Sequence, residues 1–201
     1  MTGEDIKGNM RSILVVNPKG GCGKTTIATN LASFYAVWEV PVGLIDLDPQ
    51  KSSSDWLKVR PETASTIQEF SGVKRKGGFP SDLKRVIFDA PAKTQLASVT
   101  RLIDMVDVVL IPVLPSAIDI RVTAKFIADL LIKVKVRYKP VKIAVVGNRM
   151  QANYKSSELL ENFLQKVKTF CNTINCFCLF FYTFIKFIFV KHTSCNAYYR
   201  I

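Results

Sequence analysis

The residues best suited to chemistry form a glycine-rich segment near the amino end of the chain, Asn17-Pro18-Lys19-Gly20-Gly21-Cys22-Gly23-Lys24-Thr25-Thr26. It follows a predicted strand and opens a predicted helix, which is the context that a phosphate-binding loop requires. The glycines allow backbone N–H groups to point inward around a phosphate, and the start of the helix adds a favourable field. We expect Lys24 to reach the β- and γ-phosphates of a nucleotide and the Thr25 hydroxyl to bind Mg²⁺. The alternative is a glycine-rich turn without a ligand.

Two aspartates lie close together at the end of the second predicted strand, in the segment Leu44-Ile45-Asp46-Leu47-Asp48-Pro49-Gln50. Residues two apart on a strand point to the same side, so both carboxylates are predicted to face the carboxyl edge of the sheet. A carboxylate at that edge can orient an attacking water or hold a metal-bound water near a γ-phosphate. The alternative is a strand that ends in acidic residues without a chemical role.

A third aspartate ends the next predicted strand. Asp89 follows the apolar run Val86-Ile87-Phe88. An apolar strand that ends in Asp is the arrangement in which the carboxylate binds Mg²⁺ through water.

These residues depend on strands and helices that alternate up to about residue 170. The predicted strands are Ser12–Val16, Val42–Ile45, Val86–Phe88, Val106–Pro112 and Val141–Val146, and the predicted helices are Lys24–Val37, Thr94–Ile103, Ile118–Val134 and Ser156–Lys168. Unalternated, β-branched strands that take turns with helices indicate a parallel sheet covered on both faces. The predicted fold is therefore α/β, a doubly wound and mainly parallel sheet flanked by helices, with ligands at the carboxyl ends of the strands. The segment Arg75–Pro80 is predicted to be a surface turn.

The charge of the chain is strongly positive. Its 201 residues suit one α/β domain, and 28 Lys and Arg against 16 Asp and Glu give a formal net charge of +12. Such an excess favours polyanionic partners, with nucleic acid first and an anionic membrane surface second. A charge that only keeps the protein in solution is the alternative. The basic clusters are Lys74-Arg75-Lys76, Lys84-Arg85, and the set Lys133, Lys135, Arg137, Lys139 and Lys142.

The amino end of the chain does not indicate export, and the cysteines do not indicate a metal site. The segment Met1 to Met10 is polar and carries no secretory signal, so we expect a cytoplasmic protein. The five cysteines show no regular zinc-ligand spacing, and four of them lie after residue 170.

The character of the sequence changes after about Phe170. The segment Phe177–Val190 is crowded with Phe and Ile and lacks helical amphipathicity and capping signals. It is marginal for a membrane span, which needs roughly 20 mostly apolar residues. A membrane anchor, a buried pair of strands and a segment foreign to the domain, such as a frameshifted end, all stay open, and the decay of the pattern favours the last. We therefore predict a nucleotide-binding domain over residues 1–170 and an atypical apolar tail over residues 171–201.

The phosphate-binding loop departs from the ordinary motif G-x-x-x-x-G-K-[ST]. Pro18 stands where that motif has glycine, and Lys19 precedes the double glycine. The resulting pattern resembles the deviant Walker A box of the ParA/MinD group of P-loop ATPases. The segments around Asp48 and Asp89 are similar to the Walker A′ and Walker B boxes of ParA proteins.

The resemblance implies a role for each motif residue. In that family the lysine matched by Lys19 crosses a dimer interface to the partner's nucleotide, which implies a homodimer that encloses two ATP molecules. Asp48 would position the attacking water, with Asp46 in support, and Asn148 would recognise adenine unless it is only a turn residue. The implied catalytic residues are Lys19, Lys24 and Asp48. The implied nucleotide ligands are Lys19, Gly20, Gly21, Cys22, Gly23, Lys24, Thr25, Thr26 and Asn148, and the implied metal site is Thr25, Asp48 and Asp89.

The resemblance covers about residues 12–165, with four motifs in the family's order. After Phe170 the family's final strand, second base-contacting loop and closing helix are not evident in the sequence. The resemblance implies a slow ATPase that uses ATP and Mg²⁺, binds DNA without sequence preference, and positions plasmids, chromosome regions or protein bodies. It also implies a ParB-like adaptor that stimulates hydrolysis and a nucleoid-associated location in the cytoplasm.

Three rival functions differ in the sequence features that they need. A MinD-like membrane ATPase needs an amphipathic C-terminal helix, whereas the tail here is apolar all round, so we expect no membrane association of that kind. A nitrogenase-reductase-like electron carrier needs cysteines after the third and fourth strands, and the core holds none beyond Cys22. An inactive, truncated remnant fits the tail but not the intact Lys24, Asp48 and Asp89.

Overall fold

A computed structural model describes residues 10–72, 78–170 and 174–180, with side chains up to residue 168. The strands are β1 (Arg11–Val15), β2 (Val42–Asp46), β3 (Gln68–Glu69), β4 (Arg85–Asp89), β5 (Val108–Val113), β6 (Lys142–Met150) and β7 (Ile174–Phe180). They form one sheet in the order β3-β2-β4-β1-β5-β6-β7. Every neighbouring pair of these strands is parallel. All of their carboxyl ends therefore meet at one edge.

Helices cover both faces of this sheet. They are α1 (Lys24–Val37), α2 (Ser52–Lys58), α3 (Leu96–Ile103), α4 (Ala117–Ile132) and α5 (Lys155–Phe170). Side chains alternate along each strand, so Leu14 and Phe88 join a hydrophobic cluster with α3, α4 and α5, while Val15 and Ile87 join a second cluster with α1. The predicted α/β fold, a doubly wound and mainly parallel sheet, is confirmed.

The predicted strands and helices are present, and the ends of most of them are shifted. Helix α1 has the predicted bounds, and the strand predicted from Val106 begins at Val108. The Asp107 carboxylate before it accepts hydrogen bonds from Ser12 N at 2.8 Å and from Ser12 Oγ at 2.9 Å. These bonds fix the start of β5 beside β1.

Three short elements were not predicted: α2, β3, and a 3₁₀ helix at Val136–Tyr138. Helix α2 has only seven residues, and its first turn is held by a distant side chain. The Asp46 carboxylate accepts hydrogen bonds from Ser53 N and Ser54 N at 2.9 and 3.0 Å. A helix start that depends on a residue outside the helix leaves no local capping signal in the sequence.

The sheet continues beyond Phe170, where no strand was evident from the sequence. Strand β7 pairs with β6, from Ile143 opposite Ile174 to Met150 opposite Phe180. A short apolar run without alternation cannot be assigned to a strand by periodicity alone, which explains the omission. The division of the chain at residue 170 stays a prediction, and residues 181–201, which include most of the apolar run, lie outside the described residues.

One residue of the basic clusters, Arg85, differs from the expectation of an exposed charge. Arg85 is only 4% exposed, and the carbon of its guanidinium lies 5.2 Å from the centroid of the Tyr35 ring. The side chain is buried because it begins a strand beneath α1, so it adds little to the surface charge. The cluster Lys74-Arg75-Lys76 lies outside the described residues, as does the first half of the predicted turn Arg75–Pro80. Among the described helices, none is long and apolar enough to cross a membrane.

Candidate functional site

The glycine-rich loop lies between the end of β1 and the start of α1, at the carboxyl edge of the sheet. Its base is held by Asn17, whose side chain is fully buried. The Asn17 amide donates to Pro112 O at 2.7 Å and to Thr123 Oγ1 at 2.9 Å, and its oxygen accepts from Lys19 N at 2.9 Å. These bonds fix the loop to β5 and α4. Sequence reasoning assigned no role to Asn17 or Thr123.

The backbone of the loop needs glycine at two positions. Gly21 and Gly23 have φ angles of +76° and +90°, which side-chain-bearing residues rarely adopt. A Cβ atom at Gly23 would also lie 2.3 Å from Asn148 Nδ2. Gly23 caps α1 without a side-chain hydrogen bond, so the first N–H groups of the helix are left for an anion.

Lys24 is turned into the loop. Its side chain is buried, and Nζ donates to Lys19 O at 3.1 Å and lies 4.0 Å from Cys22 Sγ. Burial raises the pKa of the Cys22 thiol, although nearby Lys24 opposes the shift. The Lys24 ammonium thus donates to the Lys19 carbonyl, whereas in a nucleotide complex we expect it to donate to phosphate oxygens. The Lys19 side chain makes no hydrogen bond or ion pair with the described residues.

Asp46 and Asp48 are both tethered to backbone N–H groups. Asp46 Oδ1 accepts from Asp48 N at 2.9 Å, in addition to the two bonds from α2. Asp48 is only partly buried, and it accepts from Gln50 N at 3.0 Å and from Ala92 N at 3.3 Å. Asp48 therefore joins the loop after β2 to the loop after β4, which keeps its carboxylate at the carboxyl edge.

Asp89 is a buried carboxylate of the site around which other polar side chains gather. It is 1% exposed, and neither of its carboxylate oxygens has a hydrogen-bond partner among the described residues. Burial raises the pKa of Asp89 from 3.8 to about 6. The hydroxyls of Thr25 and Ser53 lower the pKa as nearby donors, although neither completes a hydrogen bond with the carboxylate; the Lys24 ammonium also lowers it, whereas Asp46 raises it. These side chains therefore surround the Asp89 carboxylate.

The oxygen atoms around Asp89 suit a hard divalent cation. A buried carboxylate without a partner and the Thr25 hydroxyl are ligands, direct or through water, of the kind that Mg²⁺ takes. The described residues contain no group of three or more His, Cys, Asp or Glu arranged to hold a metal alone. This fits Mg²⁺, which is usually held by one or two carboxylates together with phosphate oxygens and water.

Asn148 lies on the opposite side of the loop and contacts it directly. It is 9% exposed, and its Nδ2 donates to Cys22 O at 3.0 Å while its Oδ1 accepts from Arg149 N at 2.9 Å. The side chain predicted to face adenine is thus already bonded at both ends of its amide in this conformation. Thr26 and Gly20 are exposed at the mouth of the loop.

The structure brings the predicted residues Lys24, Thr25 and Asp89 together, with Asp46 beside them, and adds Ser53 to the group. Ser53 was missed because it belongs to the short helix α2, for which the sequence gives no signal. Asp48 lies at the rim of the same edge.

A family model described as "CobQ/CobB/MinD/ParA nucleotide binding domain" matches residues 13–177. The match includes the loop, the three aspartates, Asn148 and the first part of β7.

Two curated relatives have names related to positioning or partition. The chain is 26% identical over 168 residues to the maintenance of carboxysome distribution protein A of Halothiobacillus neapolitanus, across 78% of this chain and 74% of the relative. It is 35% identical over 121 residues to protein ParA of Rhizobium radiobacter, across 58% of this chain and 54% of the relative. The match thus spans only about half the length of the second relative.

A solved structure shares the fold. The structure of pNOB8 ParA bound to nonspecific DNA has a TM-score of 0.62 and 14% identity, with 82% of this chain and 78% of that chain covered. At this identity the likeness concerns the fold alone.

The buried Asp89 predicts a stability that depends on pH. The folded state keeps the Asp89 proton up to about pH 6, whereas the unfolded chain loses it near pH 3.8. Between these values the folded state binds more protons, so stability falls as pH rises. In protein free of metal and nucleotide at pH 8, Asp89→Asn should raise the free energy of unfolding by about 1–3 kcal/mol.

Urea unfolding followed by circular dichroism, with EDTA present, measures this change. The gain should be smaller at pH 5, and the exposed control Asp82→Asn should change stability little at either pH. A loss of stability in Asp89→Asn at pH 8 would show that the carboxylate is paired in the free protein.

Proposed function

Because the chain belongs to the CobQ/CobB/MinD/ParA nucleotide-binding domain family, we propose that it is a ParA-like ATPase that partitions or positions a cargo. The proposal is carried by one observation: an unpaired, buried carboxylate lies beside the phosphate loop, together with the Thr25 hydroxyl and near Lys24. This arrangement supports the binding of ATP with Mg²⁺. The names of the two relatives support positioning as the purpose of hydrolysis.

We assign the binding of the phosphates to the loop and Lys24. The left-handed glycines and the uncapped start of α1 offer N–H groups to the phosphate oxygens, in line with the proposed contacts of Gly20, Gly21, Cys22, Gly23, Thr25 and Thr26. Lys24 would exchange the Lys19 carbonyl for the β- and γ-phosphates. Thr25 and Asp89 would hold Mg²⁺, with Asp48 at its outer side; the ion, when bound, neutralises charge on the phosphates.

We assign the attacking water to Asp48. Its carboxylate is partly exposed at the carboxyl edge and is held in place by the N–H groups of Gln50 and Ala92. A carboxylate fixed in this way can accept a hydrogen bond from water and orient it toward the γ-phosphate. Asp46 supports Asp48 through its hydrogen bond from Asp48 N.

We assign contact with a second subunit to Lys19. Its side chain has no partner among the described residues of its own chain, although its backbone N–H is fixed by Asn17. A lysine that is positioned but unpaired at the mouth of the loop is available to the nucleotide of a second copy. The active form would then be a homodimer with ATP bound in both subunits.

We propose that the ATP-bound dimer binds DNA without sequence preference. Lys135, Arg137 and Lys142 are exposed and form no ion pair with the described residues, whereas Lys133 and Lys139 pair with Asp129 and Asp104. These unpaired cations precede or begin β6, so they lie at the amino edge of the sheet, opposite the phosphate loop. The proposal includes a ParB-like adaptor that stimulates slow hydrolysis, and a cytoplasmic, nucleoid-associated location.

Hydrolysis should depend on Asp48. In Asp48→Ala the attacking water loses its acceptor, so the turnover number should fall by about 10²-fold or more while ATP binding is retained. Phosphate release and calorimetric binding of a non-hydrolysable ATP analogue measure the two effects. Asp82→Ala, an exposed aspartate far from the loop in sequence, is the control; turnover at the parent rate in Asp48→Ala would disprove the assignment.

Dimer formation should depend on ATP and Lys19. Lys19→Gln should remain a monomer with the analogue bound, because the contact to the second nucleotide is lost. Sedimentation velocity with and without the analogue measures the change, and Lys125→Gln, on the exposed side of α4, is the matched control. An analogue-dependent dimer in Lys19→Gln would exclude the proposed contact.

DNA binding should weaken steeply with salt and ignore sequence. The slope of log affinity against log salt is negative for a DNA-binding protein. Replacing Lys135, Arg137 and Lys142 by alanine should make it shallower by about 2–3, because each lost phosphate contact removes roughly 0.9 from its magnitude. Fluorescence anisotropy on unrelated duplexes, with ATP present, measures the slope. Replacement of Lys155, Lys166 and Lys168 on α5 removes the same charge elsewhere; an equal effect of both triple variants would show that only net charge matters.

A further inference from the structure

Three buried polar atoms without hydrogen-bond partners meet beside the phosphate loop. They are the two carboxylate oxygens of Asp89 and the hydroxyl oxygen of Ser53, which is fully buried. The hydroxyls of Ser53 and Thr25 lie close enough to the Asp89 carboxylate to lower its pKa as hydrogen-bond donors, although neither completes a hydrogen bond with it in this conformation. Buried hydroxyls normally find a partner, so this group indicates a ligand that supplies the missing hydrogen bonds.

The position of Ser53 is set by its backbone rather than by its hydroxyl. Ser53 N donates to Asp46 Oδ2 at 2.9 Å, and Ser54 N donates to the same oxygen at 3.0 Å. The Asp46 carboxylate therefore fixes the first turn of α2 without using either hydroxyl. A serine hydroxyl that served only the helix would bond to a backbone group, whereas that of Ser53 does not.

We propose that Ser53 is a positioning residue for hydrated Mg²⁺, and that its hydroxyl bonds a water of the ion held beside Asp89. This inference rests on the proposed binding of ATP with Mg²⁺. Mg²⁺ keeps several of its waters in protein sites, and each of these waters needs hydrogen-bond partners beyond the ion. Removing a group that hydrogen-bonds to a ligand of a metal ion typically lowers metal affinity by about 10–100-fold.

Ser54 is the matched control for this role. It is the next residue of the same helix, is 7% exposed, and makes the same backbone hydrogen bond to Asp46. Its hydroxyl is not among the buried atoms that lack a partner. Ser53→Ala and Ser54→Ala therefore remove the same atom from neighbouring positions with the same tether.

The test measures Mg²⁺ affinity and folding separately. With a saturating non-hydrolysable ATP analogue, the Mg²⁺ concentration for half-maximal binding should rise about 10-fold in Ser53→Ala and stay at the parent value in Ser54→Ala. Binding of the analogue in EDTA and the midpoint of thermal unfolding without ligand should be unchanged, or the midpoint raised, in Ser53→Ala. Calorimetry and differential scanning fluorimetry provide these values.

Three results would overturn the inference. A parent-like Mg²⁺ requirement in Ser53→Ala would show that its hydroxyl does not serve the ion, and a lowered unfolding midpoint without ligand would show a structural role instead. If the parent protein itself shows no Mg²⁺-dependent binding of the analogue, the proposed function fails together with this inference. A parent that needs Mg²⁺ and a Ser53→Ala variant that behaves like Ser54→Ala would refute the role of Ser53 alone.

Discussion

A carboxylate buried without a partner is the constraint around which this site is arranged. Asp89 ends β4, which pairs with β1 in the middle of the sheet, so its charge lies where the core meets the phosphate loop. Leaving a buried polar group unpaired costs about 1–3 kcal/mol, and more when it is charged. A cation bound beside Asp89 would relieve that cost, and any ligand that binds only the folded state adds to its stability. Binding of a cation at Asp89 and the stability of this edge of the sheet are therefore coupled.

Around this carboxylate, other polar side chains act as structural ties. Asp46 accepts three backbone N–H groups, and Asn17 bonds to β5, α4 and the loop itself. Lys24 is the exception, because its ammonium is held by the Lys19 carbonyl and a long contact to Cys22 Sγ, and by no carboxylate among the described residues. Phosphate oxygens can replace one carbonyl more readily than they could break a salt bridge. The loop is thus shaped before the nucleotide arrives, and its lysine stays exchangeable.

The sequence allowed the fold and the residues of the main motifs to be predicted, because both depend on local patterns. The loop, Asp46, Asp48 and Asp89 all follow apolar runs whose parallel pairing brings their ends together. Asn17 and Ser53 could not be found in this way, since their importance comes from partners far along the chain. The short helix α2 and strand β7 were not predicted either. Helix α2 begins where a distant carboxylate, that of Asp46, accepts its first N–H groups, and β7 is an apolar run without alternation.

The bond between Asn148 and the carbonyl of Cys22 joins residues 126 positions apart, and it has a consequence for biosynthesis. The ribosome makes the loop early, but the strand that carries Asn148 emerges much later. Domains of this size tend to fold as units during synthesis, and contacts between distant residues form late because closing a long loop is costly in entropy. The loop of the nascent chain would therefore lack this bond until β6 has joined the sheet.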